Sequence, residues 1–466
     1  MTISRRHFLS GAGALGMSGT GLLTTSLASM PALAADTSGY KALVCVFLFG
    51  GMDSYDTVIP YDQPSYDAFA SMRSTLMSQY ESANNPRTPD TLLRLTPSNA
   101  AELGGREFGL PREMAGMHAA FQSGNAAIVA NVGPLLEPTD RAAIIAGTAR
   151  LPRQLFSHND QASTWMSSQP EGAQYGWGGR FADAALASNA NASPTFTAMS
   201  ASGNAVWLSG DNTRQYQLSL DGPPQVTALQ YPPYLGVPSM ELASVIEAHF
   251  RNQGVTSANL FEQDVTNAMR RALDANAQYG DALDEVGEIQ TQFPQGYFAA
   301  QLRAVAQSIS LRTVLGASRQ IFFVGIGGLD THSAQARELP EIQLELDTAI
   351  TAFMNAMGEI GAQNDVTLFT ASDFGRSLTI NGDGTDHGWG GHQFVLGGAV
   401  NGGQIYGQMP EYGFEHAQDS GQGRLIPTTS VEQFAAPLGR WFGLTESELA
   451  VALPGLSNFT GGPAFV

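Results

Sequence analysis

Between Thr370 and Phe394 the chain reads TASDFGRSLTINGDGTDHGWGGHQF, and these 25 positions hold three acids, two histidines, an arginine and six glycines. Glycine gives up side-chain packing and costs conformational entropy, and clustered carboxylates repel, so a compensating function is expected. Similar groups recur upstream. GGMDSYD carries Asp53, Ser54 and Asp56; RQLFSHNDQASTW carries Ser157, His158 and Asp160; GGLDTHS carries Asp330 and His332. Within the opening stretch, SDFGR carries Asp373 and Arg376, and Asp386 and His387 follow. Aspartate oxygens with imidazole nitrogens are a ligand set for Zn²⁺, Mn²⁺ and related divalent ions, with Mg²⁺ and Ca²⁺ as oxygen-binding alternatives. Such an ion stabilises anionic transition states and activates a nucleophile. A serine opening a helix, the place Ser157 takes, is a candidate nucleophile. A helix start also favours a bound phosphate or sulfate, and Arg376 is a candidate clamp for its oxygens.

Each residue has a plainer alternative. Asp53 suits a helix cap, and Ser157 suits an N-cap. Asp330-Thr331-His332 suits an Asx turn, Arg376 suits a partner for Asp373, and His118 and His392 suit structural positions. Asn381, Asp383 and Thr385 alternate like the first half of an EF-hand loop. That loop needs glycine sixth and a bidentate glutamate twelfth, where this chain has Asp386 and His392, so a calcium hand is not expected. The metal reading rests on coincidence at one sheet edge, because ligands in open α/β sheets bind beyond the carboxyl ends of the strands.

The elements that would place these groups are legible. KALVCVFLFGG, AAIVANVG (126–133), RQIFFVGIGG (319–328), DVTLFTAS (365–372) and HQFVLGGAV (392–400) are continuous apolar runs. Runs of this kind suit strands buried on both faces. Helical patterns precede several of them: Leu302, Val305 and Ile309 share a face, as do Ile342, Leu346, Ile350, Phe353 and Met357. Helix alternating with buried strand predicts a doubly wound, mostly parallel α/β sheet. Residues 185–300 break the rhythm with polar β-like pieces, a Pro-rich run and a helix aligning Phe261, Val265 and Met269; they are expected to form an insertion or cap subdomain. The expected α/β domain is therefore split into residues 35–184 and 301–466.

The first 34 residues carry SRRHFL and then Ala32-Leu33-Ala34, the pattern of a twin-arginine export signal with its cleavage site. Export by the twin-arginine translocase to the periplasm or beyond is expected, with no membrane span after cleavage. The formal charge is −19, which disfavours nucleic acid and anionic membranes as partners. The single cysteine, Cys45, lies inside an apolar run and suits a small buried hydrophobe.

At GGMDSYDTVIPY, FSHNDQASTW with GWGGR, GLDTHSAQ and SDFGR…N…GTDHG…VLGGAVNGG, the chain resembles the secreted bacterial family catalogued as domain of unknown function fifteen-oh-one. That family is placed in the alkaline phosphatase/sulfatase-like group. The resemblance implies that fold and a metal-dependent hydrolase of phosphate or sulfate esters, small or carried on a glycan. It implies Ser157 as nucleophile and Asp53, Asp330, His332, Asp373 and His387 as metal ligands. Phe374 stands where the group has a histidine, and His158 is the expected substitute. The rival expectation is a non-catalytic binding or surface-assembly protein that keeps a degenerate site.

Overall fold

Strand Lys41–Leu48 (β1) shows how a continuous apolar run becomes a central strand. Ala42, Val44, Val46 and Leu48 enter one buried cluster, and Leu43, Cys45 and Phe47 enter another on the opposite face. Alternate side chains point to opposite sides of a sheet, so a strand covered on both faces needs no polar position. The computed structural model describes residues 35–222, 239–253 and 258–466. The expected export signal and residues 223–238 of the Pro-rich run lie outside the described residues.

The other strands of the central sheet are Ala126–Gly133 (β2), Ala198–Ser200 (β3), Tyr216–Gln217 (β4), Arg319–Ile326 (β5), Val366–Ser372 (β6), Gly391–Leu396 (β9), Ile405–Tyr406 (β10) and Thr429–Ser430 (β11). Arg376–Asn381 (β7) and Gly384–His387 (β8) form a separate antiparallel hairpin. Among the described residues the sheet has nine strands in the order β10-β2-β9-β6-β1-β5-β3-β4, with β11 also beside β2. The pairings are parallel apart from β9, which runs antiparallel to β2 and β6. The fold is the expected α/β class with a mostly parallel sheet and helices on both faces.

One face is covered by Tyr297–Ser310 (α5) and Gln335–Glu359 (α6). The expected stripes are seated there: Leu302, Val305, Ile309, Leu346, Ile350, Phe353 and Met357 are buried, and Ile342 is half-buried against them. Each such side chain contributes roughly 1.5–3 kcal/mol through burial. The other face is covered by His158–Ser167 (α2), Trp177–Ala187 (α3) and Val431–Phe442 (α7), through Trp165, Trp177, Phe181 and Phe434.

The segment 185–300 differs from the expected cap. Its strands β3 and β4 are hydrogen-bonded into the central sheet next to β5. Its long helix Leu260–Val286 (α4) packs through Ala275, Tyr279 and Ala282 on the same face as α5 and α6. Phe261 and Val265 of the aligned stripe are 78% and 44% exposed, because α4 meets the core through its second half. No helix among the described residues is long and apolar enough to cross a membrane.

Register positions the site. Leu48 pairs with Ile326 of β5 and with Ser372 of β6, so the loops after β1, β5 and β6 leave the sheet side by side. The chain between 370 and 394 is no calcium loop: Asn381 and Gly384 close the β7–β8 hairpin.

Candidate metal centre

The loops after β1, β5 and β6 touch through glycine. The Gly50 N–H donates to Asp373 Oδ2 at 3.1 Å, and the Gly50 carbonyl accepts from Arg376 Nη1 at 3.1 Å. Gly50 has φ +112°, and a Cβ there would fall 2.4 Å from the Asp330 nitrogen; only glycine lets the loop after β1 lie this close to Asp330. A Cβ on Gly375 would fall 2.1 Å from the Gly390 carbonyl oxygen. Backbone thus packs on backbone where the glycines of the opening stretch cluster.

Three imidazoles converge on Asp330. His158, at the first position of α2, lies with Nε2 3.5 Å from Asp330 Oδ2. His387, at the end of β8, lies with Nε2 3.1 Å from Asp330 Oδ1. His332 Nε2 lies 3.1 Å from Asp330 Oδ1 and 2.8 Å from His387 Nε2. His158, Asp330 and His387 each offer one ligand atom, all within 4.8 Å of one another; His332 reaches two of the three.

The outer nitrogens decide which atoms carry lone pairs. His387 Nδ1 is 2.8 Å from the Phe156 carbonyl, which only accepts, so Nδ1 donates there; burial favours the neutral ring, in which Nε2 is the bare nitrogen. His158 Nδ1 is 2.7 Å from Asp373 Oδ2, which likewise accepts the Nδ1 proton. An imidazole whose far N–H is held by a carboxylate or carbonyl is the supported form of a metal ligand. Tetrahedral sites with bonds of about 2.0–2.1 Å bring ligand atoms roughly 3.3 Å apart. Four contacts, at 2.8 to 3.5 Å, bracket that spacing, and the ligand atoms of His158, Asp330 and His387 stay within 4.8 Å of one another, so the cluster is a candidate site for a divalent ion.

Electrostatics keep the donors in ligand form. Partial burial raises the Asp330 pKa, but the Arg376 hydrogen bond and charge, with His332 and His387, outweigh it and hold the carboxyl below its usual range. Burial lowers the His387 pKa, against the opposing Phe156 bond, and the charges of His158 and Arg376 lower it further. Burial also raises the Asp373 pKa, opposed by its bonds from His158 and Gly50. Asp373 Oδ1 is buried without a hydrogen-bond partner among the described residues.

Four residues expected in the centre do other things. Asp373, expected as a ligand, holds His158 Nδ1 and the Gly50 N–H through Oδ2. The Arg376 side chain is fully buried; it bonds Asp330 Oδ1 at 2.6 Å, the Gly50 carbonyl, and both the hydroxyl and carbonyl of Thr385. It positions Asp330 and has no face open to a substrate anion. Ser157 is the N-cap residue of α2 but makes no side-chain cap bond; its hydroxyl donates to Asp160 Oδ2 at 2.9 Å. Asp53 is 1% exposed and turned away from the imidazoles, toward Arg73, which contacts its two oxygens at 2.8 and 3.2 Å. Gln335 Nε2 bridges Asp53 and Asp56 at 2.7 Å each, and its Oε1 accepts from Thr331 and Thr385. Phe374, where the group resemblance has a histidine, packs its ring 4.9 Å from His158 and 4.5 Å from His387.

Spacing arguments missed Arg73, Gln335 and Arg424. Arg73 follows helix Gln63–Met72 (α1) and lies 20 residues from Asp53, and Gln335 opens α6 and lies 282 residues from it. Arg424 lies in the glycine-rich DSGQGR and donates from Nε to the His387 carbonyl at 2.7 Å.

The chain belongs to the family described as "Protein of unknown function (DUF1501)", which matches residues 40–452. No curated protein matches it significantly. Solved structures that match include Ps i-CgsB in complex with k-i-k-neocarrahexaose, at 10% identity and TM-score 0.36, covering 90% of this chain and 77% of that one. The C-terminal periplasmic domain of EcEptC from Escherichia coli matches at 9% identity and TM-score 0.35, covering 93% and 92%. Its complex with Zn matches at 10% identity and TM-score 0.35, covering 94% of each chain. The functional reading rests on the imidazole cluster itself.

Proposed function

We propose that the protein is an exported metal-dependent hydrolase of phosphate or sulfate esters with a single-ion centre. The observation that carries this is the meeting of the bare Nε2 of His387 with the Asp330 carboxylate and His332 Nε2, electron-rich groups that a cation between them would reconcile. His158, Asp330 and His387 would hold the ion, with His332 beside them. An imidazole-rich set favours zinc, manganese and related transition ions over magnesium or calcium. When bound, such an ion polarises an ester oxygen and makes water a better nucleophile. Asp373 and the Phe156 carbonyl orient two of the imidazoles, and Arg376 fixes Asp330. The His158, Asp330 and His332 side chains are 36%, 43% and 41% exposed, so a bulky ester, including one on a glycan, has access.

The test is elemental analysis of the purified exported protein, paired with turnover of aryl phosphates and aryl sulfates with and without chelator. Bound transition metal and chelator-sensitive turnover are expected; a metal-free protein would sink the reading. The non-catalytic alternative is favoured by one observation: Asp53 is committed to Arg73 and Phe374 packs against two imidazoles, so only one ligand set is left. Metal without turnover of either ester would select it.

Export is proposed from SRRHFL and Ala32-Leu33-Ala34. Replacing Arg5 and Arg6 by lysine should leave a folded precursor in the cytoplasm, and normal export of that variant would contradict the proposal.

A further inference from the structure

We infer that Arg424 is the residue that grips the anionic oxygens of the substrate; this rests on the ester-hydrolase reading of the metal centre. Its guanidinium is fixed by two residues that set one imidazole. Nε donates to the His387 carbonyl at 2.7 Å, and the group lies 5.0 Å over the Phe156 ring. Phe156 in turn holds His387 Nδ1 through its carbonyl. Its Nη atoms make no hydrogen bond among the described residues. The nearest carboxylate, Asp386, is 4.0 Å away, and the side chain is 23% exposed. Arg424 therefore stands beside the cluster, oriented at one end and open at the other.

The loop beneath it is held in place. Asp419 is 1% exposed and accepts the Gly421 and Gly423 N–H groups at 2.7 and 2.9 Å, and the Arg424 N–H donates to the Gly421 carbonyl at 3.1 Å. The other arginines near these loops are unsuited: the Arg73 and Arg376 side chains are fully buried and bonded on several sides. Charge points the same way. Asp330, Asp373 and Asp386 outnumber Arg376 and Arg424 until a divalent ion is present, so an anion is favoured only at the loaded centre. A planar fork of donors matches the oxygens of a tetrahedral oxyanion. The ligand chemistry is thus an ester of phosphate or sulfate, with its charged end toward Arg424.

The experiment uses the full mature protein and its Arg424→Gln and Arg424→Lys variants, each assayed for bound metal, Tm, and calorimetric affinity for inorganic phosphate and for sulfate. The two anions identify which ester the site prefers. In Arg424→Gln, bound metal and Tm should stay as in wild type, while the Kd of the preferred anion rises about 10- to 100-fold. Arg424→Lys keeps the charge and loses the fork, and should recover part of the affinity. It also serves as the reporter if the glutamine variant does not fold, with a Kd still weaker than wild type expected. An unchanged Kd, a metal-loaded wild type that binds neither anion, or joint loss of metal and anion affinity would each overturn the assignment. A wild type that holds no metal fails the underlying hydrolase reading instead. The same titrations are then repeated with added Zn²⁺: a Kd weakened in Arg424→Gln supports the anion role, and an unchanged or absent affinity overturns it.

Discussion

Asp53 and Asp330 each follow an apolar strand, leave the same edge of the sheet, and contact an arginine. Yet Asp53 is sealed and Asp330 is open. The Asp53 carboxylate is gripped by Arg73, Gln335 and the Tyr55 N–H, with Asp56 beside it, and all of these groups are buried. Around Asp330 the neighbours are imidazoles, and its side chain is 43% exposed. A carboxylate whose lone pairs are filled by fixed donors serves structure, whereas one facing bare nitrogens at the surface has capacity left for an ion. Gln335 ties the two regions together, since it bonds Asp53 and Asp56 on one side and Thr385, which receives Arg376 Nε, on the other.

The sharpest way to break this contrast is at Arg73. Burial alone would lower its pKa, but the charges of Asp53 and Asp56 outweigh burial and raise it. Arg73→Met would leave two buried carboxylates without a counter-charge, and breaking such a pair costs about 3–5 kcal/mol. Denaturant unfolding should register a loss of that order. A loss below about 1 kcal/mol, typical of exposed pairs, would mean that the sealed region is no such anchor.

This pair also marks how far the chain could be read. The strands were legible because burial on both faces demands unbroken apolar runs, and the edge placement of Asp330, His332, Asp373 and His387 followed from their positions after those runs. Asp53 looked equivalent because residue type and position are all that sequence displays. What separates it is Arg73, brought to it by the packing of a surface helix. Arg376 was misjudged for the same reason: its type suits an anion clamp, and only burial against Gly50 and Thr385 removes it from that role. The outward Phe261 stripe of α4 is a third case, where helical periodicity named a face but could not say which half of the helix met the core.

A second test probes the dry side of the same edge by pH. His392 Nδ1 accepts the Asn131 N–H at 3.0 Å, and burial, only partly opposed by the Asp53 charge, lowers its pKa to about 4. The folded state therefore holds this imidazole neutral where the unfolded chain, near pKa 6.5, would bind a proton. The resulting stability is fully present above pH 6.5 and is lost as pH falls toward 4, by about 3 kcal/mol in total. Unfolding measured from pH 7 to pH 4 should show this slope in wild type, and His392→Gln should flatten it by a comparable amount. Equal slopes in the two proteins would place the proton elsewhere.

The open region is tested by chelation. A ligand that binds only the folded state stabilises it by about 2.7 kcal/mol at one hundred times its Kd. Wild-type Tm should therefore fall on adding chelator, while His387→Ala should start low in metal and respond little. Asp373→Ala, which frees His158 Nδ1, should keep the fold and weaken metal affinity about 10- to 100-fold. A chelator response in His387→Ala equal to that of wild type would remove His387 from the centre.

The smallest expected effect on stability carries the finest distinction. Ser157 and Ser430 both precede a helix, but only Ser430 caps one in full. Its hydroxyl accepts the Gln433 N–H, and the Gln433 side chain returns to the Ser430 N–H. Ser430→Ala should cost about 1 kcal/mol, the usual loss for such a cap. Ser157 gives α2 no cap bond and donates to Asp160 in a half-exposed contact, so Ser157→Ala should cost no more than about 0.5–1 kcal/mol and leave metal content unchanged. Turnover then separates two chemistries that stability cannot. If the attacking group is water at the metal centre, the variant should keep most of its rate. If Ser157 attacks, as the group resemblance implies, the rate should fall by several powers of ten with metal still bound, and Ser157 would join Asp330 on the open side of the comparison.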